Sequence, residues 1–209
     1  MQFKPESFAV VLGVLLLSCC GPPPPPPPPP PSPCVPPSRR VLDLTNVPQE
    51  RNYTCWAGVT RTIGKYMERP ETECALVRRR KSDCTCPSCP DSMEVPEGPC
   101  NNGGWPPFEA IGLKAKRTTN EAIPLETLKS EIACHNRPVA FTWNFGGGSG
   151  HIMVAFGYDG ENIHVANPAP PCAGRSEKII PYEFYRDGED GEGAGVNHWD
   201  DFYGFEVIQ

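Results

Sequence analysis

Four side chains in this sequence could together break an acyl bond: Cys55, His151, Asn167 and Gln49. Cys55 opens an amphipathic run in which Trp56, Val59, Ile63, Tyr66 and Met67 share one face, so the spacing predicts a helix that begins at the cysteine. A sulfur there sits at the positive end of the helix dipole, beside N–H groups without helical partners, which lowers its pKa and favours the nucleophilic thiolate. Gln49 lies six positions upstream, close enough across a short turn to aim its amide N–H at an oxyanion forming beside that sulfur. His151 opens an apolar run after the glycine-rich 146–150, and Asn167 closes the next run. A hairpin turning at Asp159-Gly160 would set the two side by side. The amide then accepts from one imidazole nitrogen, fixes the tautomer and leaves the other nitrogen facing the sulfur. Each residue alone is compatible with packing or a surface role; the combination points to chemistry.

These side chains need a helix and a sheet to hold them. Residues 125–134 carry Leu125, Leu128, Ile132 and Ala133 at helical spacing, and a short helix is expected through Ala110, Ile111 and Leu113. Past these the pattern changes to strands at 138–143, 151–158 and 162–166, with a closing strand at 203–208. A helical first half followed by an antiparallel sheet is an α+β layout. Residues 68–104 read as a Pro- and Cys-rich insertion, and its run Arg78-Arg79-Arg80-Lys81 as a solvated surface. His164 is expected to face solvent, and His135 and His198 to sit in loops without a partner.

In the order Gln49, Cys55-Trp56-Ala57, Gly150-His151, Asn167-Pro168, residues 42–209 resemble the papain-like cysteine peptidases. The resemblance implies their fold, with a helical half bearing Cys55 packed on an antiparallel sheet bearing His151 and Asn167. It also implies hydrolysis of peptide, isopeptide or amide bonds by a Cys55–His151–Asn167 triad, with Gln49 in the oxyanion hole and Trp56 shielding the His–Asn hydrogen bond. Cys100-Asn101-Asn102-Gly103-Gly104 resembles a segment of bacterial members whose glycines border the substrate cleft; a disulfide-anchored turn is the alternative. Tyr53-Thr54 stand where animal and plant members carry Gly-Ser, which bears on substrate preference. Asn52-Tyr53-Thr54 is also a glycosylation sequon, although it lies against the nucleophile. A catalytically silent surface-binding lipoprotein on the same fold is the competing reading; it predicts a blocked cleft or a mispaired Cys55.

The remaining sequence speaks to location. With 209 residues and 38% hydrophobic content there is material for one sizeable core, expected over 41–209 and as a monomer. A net charge of −6 offers no basic patch for nucleic acid. Residues 1–18, with Lys4 and about ten apolar residues, read as an export signal too short to span a bilayer. Leu16-Leu17-Ser18-Cys19 resembles a bacterial lipobox, which implies lipidation at Cys19; an ordinary secretory signal is the alternative. Ten prolines at 22–31 predict a stiff polyproline II spacer of roughly 30 Å within 19–40, and no propeptide of useful length separates it from Val41. The chain is therefore expected to be exported, as a lipoprotein touching membrane only through its anchor or as a secreted protein, with protein or peptide as substrate. Of eleven cysteines, eight remain once Cys19, Cys20 and Cys55 are set aside, an even number that an exported chain turns into disulfides. Cys84, Cys86 and Cys89 also allow a zinc reading, but no second pair or nearby His completes a site. No metal and no cofactor are expected.

Overall fold

Two apolar runs that do not alternate form the middle of the sheet: residues 139–143 and 152–156 are buried on both faces. Only a sheet covered on both sides asks for that pattern. The computed structural model describes residues 33–84, 98, 100–173, 176–188 and 197–209, and Cys34–Gln209 folds as one compact unit. In chain order its elements are β1 (Arg39–Val41), α1 (Cys55–Tyr66), α2 (Glu73–Arg80), a 3₁₀ turn (Phe108–Ile111), β2 (Leu113–Arg117), α3 (Leu125–Cys134), β3 (Val139–Gly146), β4 (Ser149–Asp159), β5 (Asn162–Asn167), β6 (Ser176–Pro181), α4 (Tyr182–Asp187) and β7 (Asn197–Val207). The seven strands make one antiparallel sheet in the order β2-β7-β3-β4-β5-β6, with β1 pairing β4. This is the expected α+β layout, with the helix that starts at Cys55 packed against β4.

Trp56, Val59 and Ile63 of α1 join Met153 and Ala155 of β4 in a single core, each at most 1% exposed. Burying a side chain of that size contributes roughly 1.5–3 kcal/mol, so the position of Cys55 is fixed by the helix face behind it. Gly58 lets α1 come closer still to its neighbours. A Cβ there would lie 2.8 Å from Pro168 Cβ and 3.1 Å from the backbone nitrogen of Gln49.

Several expectations need correction. The folded unit starts before residue 41: Cys34 is disulfide-bonded to Cys134, the Tyr158 hydroxyl donates to the Pro37 carbonyl, and β1 pairs the end of β4. Leu113 belongs to a strand, because Gly112 adopts φ +75° and ends the preceding turn. The supposed insertion contains α2, capped where the Thr72 side chain accepts from Ala75 N–H and seated by Leu76 and Val77. His198 is no loop residue. It is buried on β7 with one ring nitrogen 2.8 Å from the Tyr185 carbonyl and the other 2.9 Å from the Asp201 carboxylate. A carbonyl and a carboxylate both accept, so the pocket favours a hydrogen on each ring nitrogen, the imidazolium form. Asp201 also accepts from Tyr185 O–H and Ile123 N–H, which ties β7, α4 and the entry to α3 together.

Cys84–Cys100 forms a second disulfide, and Cys74 and Cys172 are disulfide-bonded as well. Cys84 is thereby removed from any zinc set; Cys86 and Cys89 lie outside the described residues, as do the expected export signal at 1–18, Cys19 and the proline run. No helix among the described residues is long and apolar enough to cross a membrane.

Candidate active site

Cys55 is the free cysteine among the described residues, and it is half-buried at the first position of α1. The N–H groups of Ala57 and Gly58 turn back to the Thr54 carbonyl. Those of Cys55 and Trp56, which no helical carbonyl takes, lie close enough to the thiol to favour its anion, as does the N–H of Ile152 from β4. That third donor places the sulfur against the strand residue that follows His151. The expected low thiol pKa is not what results. Burial pushes the Cys55 thiol up, and the three N–H groups offset only part of that rise.

His151 and Asn167 meet as expected, with Nε2 2.7 Å from Asn167 Oδ1. The same Oδ1 accepts from Ala169 N–H at 3.0 Å, so the atom facing the imidazole is the oxygen of the amide. An oxygen can only accept. His151 Nε2 therefore carries the hydrogen, and Nδ1 is left with a lone pair for a proton. Burial lowers the His151 pKa, the bond to Asn167 raises it in part, and Lys178 adds to the lowering. His164, the alternative histidine, sits part-exposed on β5 edge-on to Phe156, away from the cleft-lining residues.

The loop that ends in Gln49 is pinned to the Asn167 turn from several directions. Asn46 Nδ2 donates to the Asn167 carbonyl at 2.7 Å, Gln49 N–H to the Pro168 carbonyl at 2.9 Å, and Cys172 N–H to the Gln49 carbonyl at 2.8 Å. The Gln49 side chain is buried, and its amide nitrogen donates to the carbonyls of Arg51 at 2.7 Å and Asn52 at 2.9 Å. Both amide hydrogens are thus engaged within its own turn, while Oε1 has no partner.

A feature the sequence reading missed lies under this loop. Glu73, fully buried at the start of α2, accepts from Thr54 Oγ1 and from Glu50 N–H, both at 2.7 Å. It also pairs with Arg51 at 3.3 Å and Arg61 at 3.6 Å. One carboxylate therefore holds residues 50, 51 and 54 of the segment between Gln49 and Cys55. Burial pushes its pKa above the usual range despite these donors.

Cys55 and His151 open into one cleft of about 670 Å³. Gly103, Gly104 and Trp105 form one stretch of its wall and the glycine-rich 148–150 with Trp199 another; the Trp199 ring lies 3.2 Å from where a Gly150 Cβ would stand and meets Trp105 edge-on. Cys100 is disulfide-anchored, and Gly103 and Gly104 border the cleft. Trp56 lies beside this wall, its indole N–H donating to the Asn102 carbonyl at 2.8 Å.

No protein-family model matches the chain, and no curated protein does. Solved structures similar to it include two peptidases. One is a double glycine motif protease from an AMS/PCAT transporter in complex with the leader peptide, at 19% identity over 81% of this chain and 95% of that one, with a TM-score of 0.46. The other is the peptidase domain of Streptococcus ComA, a bifunctional ABC transporter involved in a quorum-sensing pathway, at 13% identity over 79% and 98%, with a TM-score of 0.45.

Proposed function

We propose that this chain is an exported thiol peptidase in which Cys55 attacks a peptide, isopeptide or other amide carbonyl. The observation that carries the reading is the His151–Asn167 hydrogen bond at 2.7 Å, in a cleft shared with a free cysteine at a helix start. A silent binding module would have a blocked cleft or a paired Cys55; among the described residues Cys55 is free and lines a cleft with His151, which favours the peptidase reading.

Burial disfavours the thiolate alone and the imidazolium alone, so the two ions form together by one proton transfer from Sγ to His151 Nδ1. The new thiolate adds to the carbonyl carbon, and the resulting oxyanion is met by the Cys55 backbone N–H. Gln49 supplies the second donor by giving up its bond to the Asn52 carbonyl, the longer of its two. His151 returns the proton to the leaving amine, which departs and leaves a thioester on Cys55. Water, deprotonated by the same ring, then releases the acid. Asn167 keeps Nε2 protonated and Nδ1 aimed throughout.

Cleavage profiling on a diverse peptide library, with Cys55→Ala as control, tests this reading. Turnover present in the parent and absent from the variant supports it; turnover equal in both would overturn it. Export is supported by the apolar segment at 1–18 and by the disulfides of the folded unit. Lipidation at Cys19 predicts membrane partitioning that Cys19→Ala abolishes; a mature protein beginning downstream of Cys19 would exclude it.

A further inference from the structure

The wall of the cleft formed by Gly103 and Gly104 belongs to a stretch, 101–107, without helix or strand. Two glycines have no side chains with which to pack, so something else must fix this backbone. Its flanks are tied: Cys100 by the disulfide to Cys84, Asn101 by accepting Tyr53 N–H at 2.8 Å, and Trp105 by its ring against Trp199 and under the Arg117 guanidinium. Among the described residues, two side chains reach the middle: Trp56, through the Asn102 carbonyl, and Arg80. Arg80, the last residue of α2, donates from Nη1 to the Gly103 carbonyl at 3.3 Å and from Nη2 to the Trp105 carbonyl. The two carbonyls flank Gly104, and a Cβ at Gly104 would run into the guanidinium, so glycine provides the room the fork needs.

The guanidinium is itself held in place. It lies 3.8 Å over the Trp56 ring, and Trp56 donates to the neighbouring Asn102 carbonyl. Arg80 is not among the residues that line the cleft. A planar fork that reaches two carbonyls while stacking on an indole is a task for which lysine is no substitute.

We propose that Arg80 is a positioning residue that holds the Gly103 and Gly104 wall at the width an extended peptide requires, and so sets peptide affinity without setting the reactivity of Cys55. This rests on the thiol peptidase reading above. A wall displaced by about 1 Å misaligns a bound chain, an error that can cost up to about 10²-fold. A small reagent that never touches the wall should be indifferent to it.

The experiment compares two probes on three proteins: the parent, Arg80→Met and Arg80→Lys. Iodoacetamide reads Cys55 alone, and a dipeptidyl fluoromethyl ketone reads Cys55 reached along the cleft. The expected result is iodoacetamide labelling within about twofold of the parent in both variants, with ketone labelling slowed about tenfold or more in Arg80→Met and not restored by lysine. Rates that fall together for both probes would make Arg80 a support of the fold and overturn the proposal. Ketone labelling unchanged in Arg80→Met would overturn it too. Failure of iodoacetamide to label Cys55 in the parent would instead remove the peptidase reading, and the proposal with it.

Discussion

Replacing Glu73 by Gln removes one charge from the base of the nucleophile loop and leaves the shape unchanged. The carboxylate takes three donors, Thr54 O–H, Glu50 N–H and the Arg51 guanidinium, and faces the Arg61 guanidinium as an ion pair at 3.6 Å. Glutamine has one acceptor oxygen, and its NH₂ group must face a donor. With the oxygen turned to Thr54 and Arg51, the Glu50 N–H is orphaned, at roughly 1–3 kcal/mol. Arg51, itself only 2% exposed and with one nitrogen already unpartnered, is left without its buried counter-charge. Breaking a buried pair from one side costs about 3–5 kcal/mol, and that is the loss expected for the variant. Urea unfolding of the oxidised protein measures it, and Arg51→Met added to Glu73→Gln should recover at least about 1 kcal/mol of the loss. A loss below about 1 kcal/mol would refute this reasoning. It would mean that burial, which already raises this carboxyl's pKa, keeps it protonated in the folded state.

Other perturbations give distinct outcomes. Gly58→Ala should lower stability and turnover together, since the new methyl presses Pro168 and the Gln49 backbone away from α1; unchanged turnover would show that this close approach is not needed. Asn167→Ala should lower kcat less than His151→Ala does, and His164→Ala should leave steady-state kinetics at the parent level; an inactive His164→Ala would overturn the assignment of the base. Gln49→Ala should lower kcat by about 10²–10³ with little change in KM, and an unchanged kcat would leave the oxyanion to backbone donors. For His198, burial alone would lower the pKa, but the hydrogen bond and charge of Asp201, with the Tyr185 carbonyl, hold it above 6.5. A raised histidine stabilises the fold fully below its unfolded pKa, and that contribution is lost as pH rises through the folded value. Thermal stability should therefore decline above about pH 6.5 more steeply in the parent than in His198→Gln; parallel curves would contradict the ion pair.

The candidate site residues were legible because their constraints are local. A cysteine opening an apolar helical face and a histidine and asparagine spaced across one Asp-Gly hairpin can be found without knowing what packs on them. The missed features depend on distant partners. Glu73 and Arg80 sit at the two ends of a short helix, half of whose residues are charged, and their roles come from residues about twenty positions away in the chain that only the fold brings near. β1 is three residues with two exposed arginines, and its pairing to β4 leaves no periodic signal. His198 looked unpartnered because Tyr185 reaches it only once α4 packs beside β7. The thiol pKa was misjudged for a related reason: helix position can be read from sequence, whereas the burial that opposes it cannot.

The central claim is that Cys55 carries the acyl group between two half-reactions. Its most direct test is to mix the protein with a peptide substrate found by library profiling, quench in acid within one turnover, and map the modified residue by mass spectrometry. The predicted result is a mass increase equal to the acyl portion of the substrate on Cys55 alone, labile to hydroxylamine and absent from Cys55→Ala. Turnover of that substrate with Cys55 unmodified at every quench time, or retained by Cys55→Ala, would contradict it.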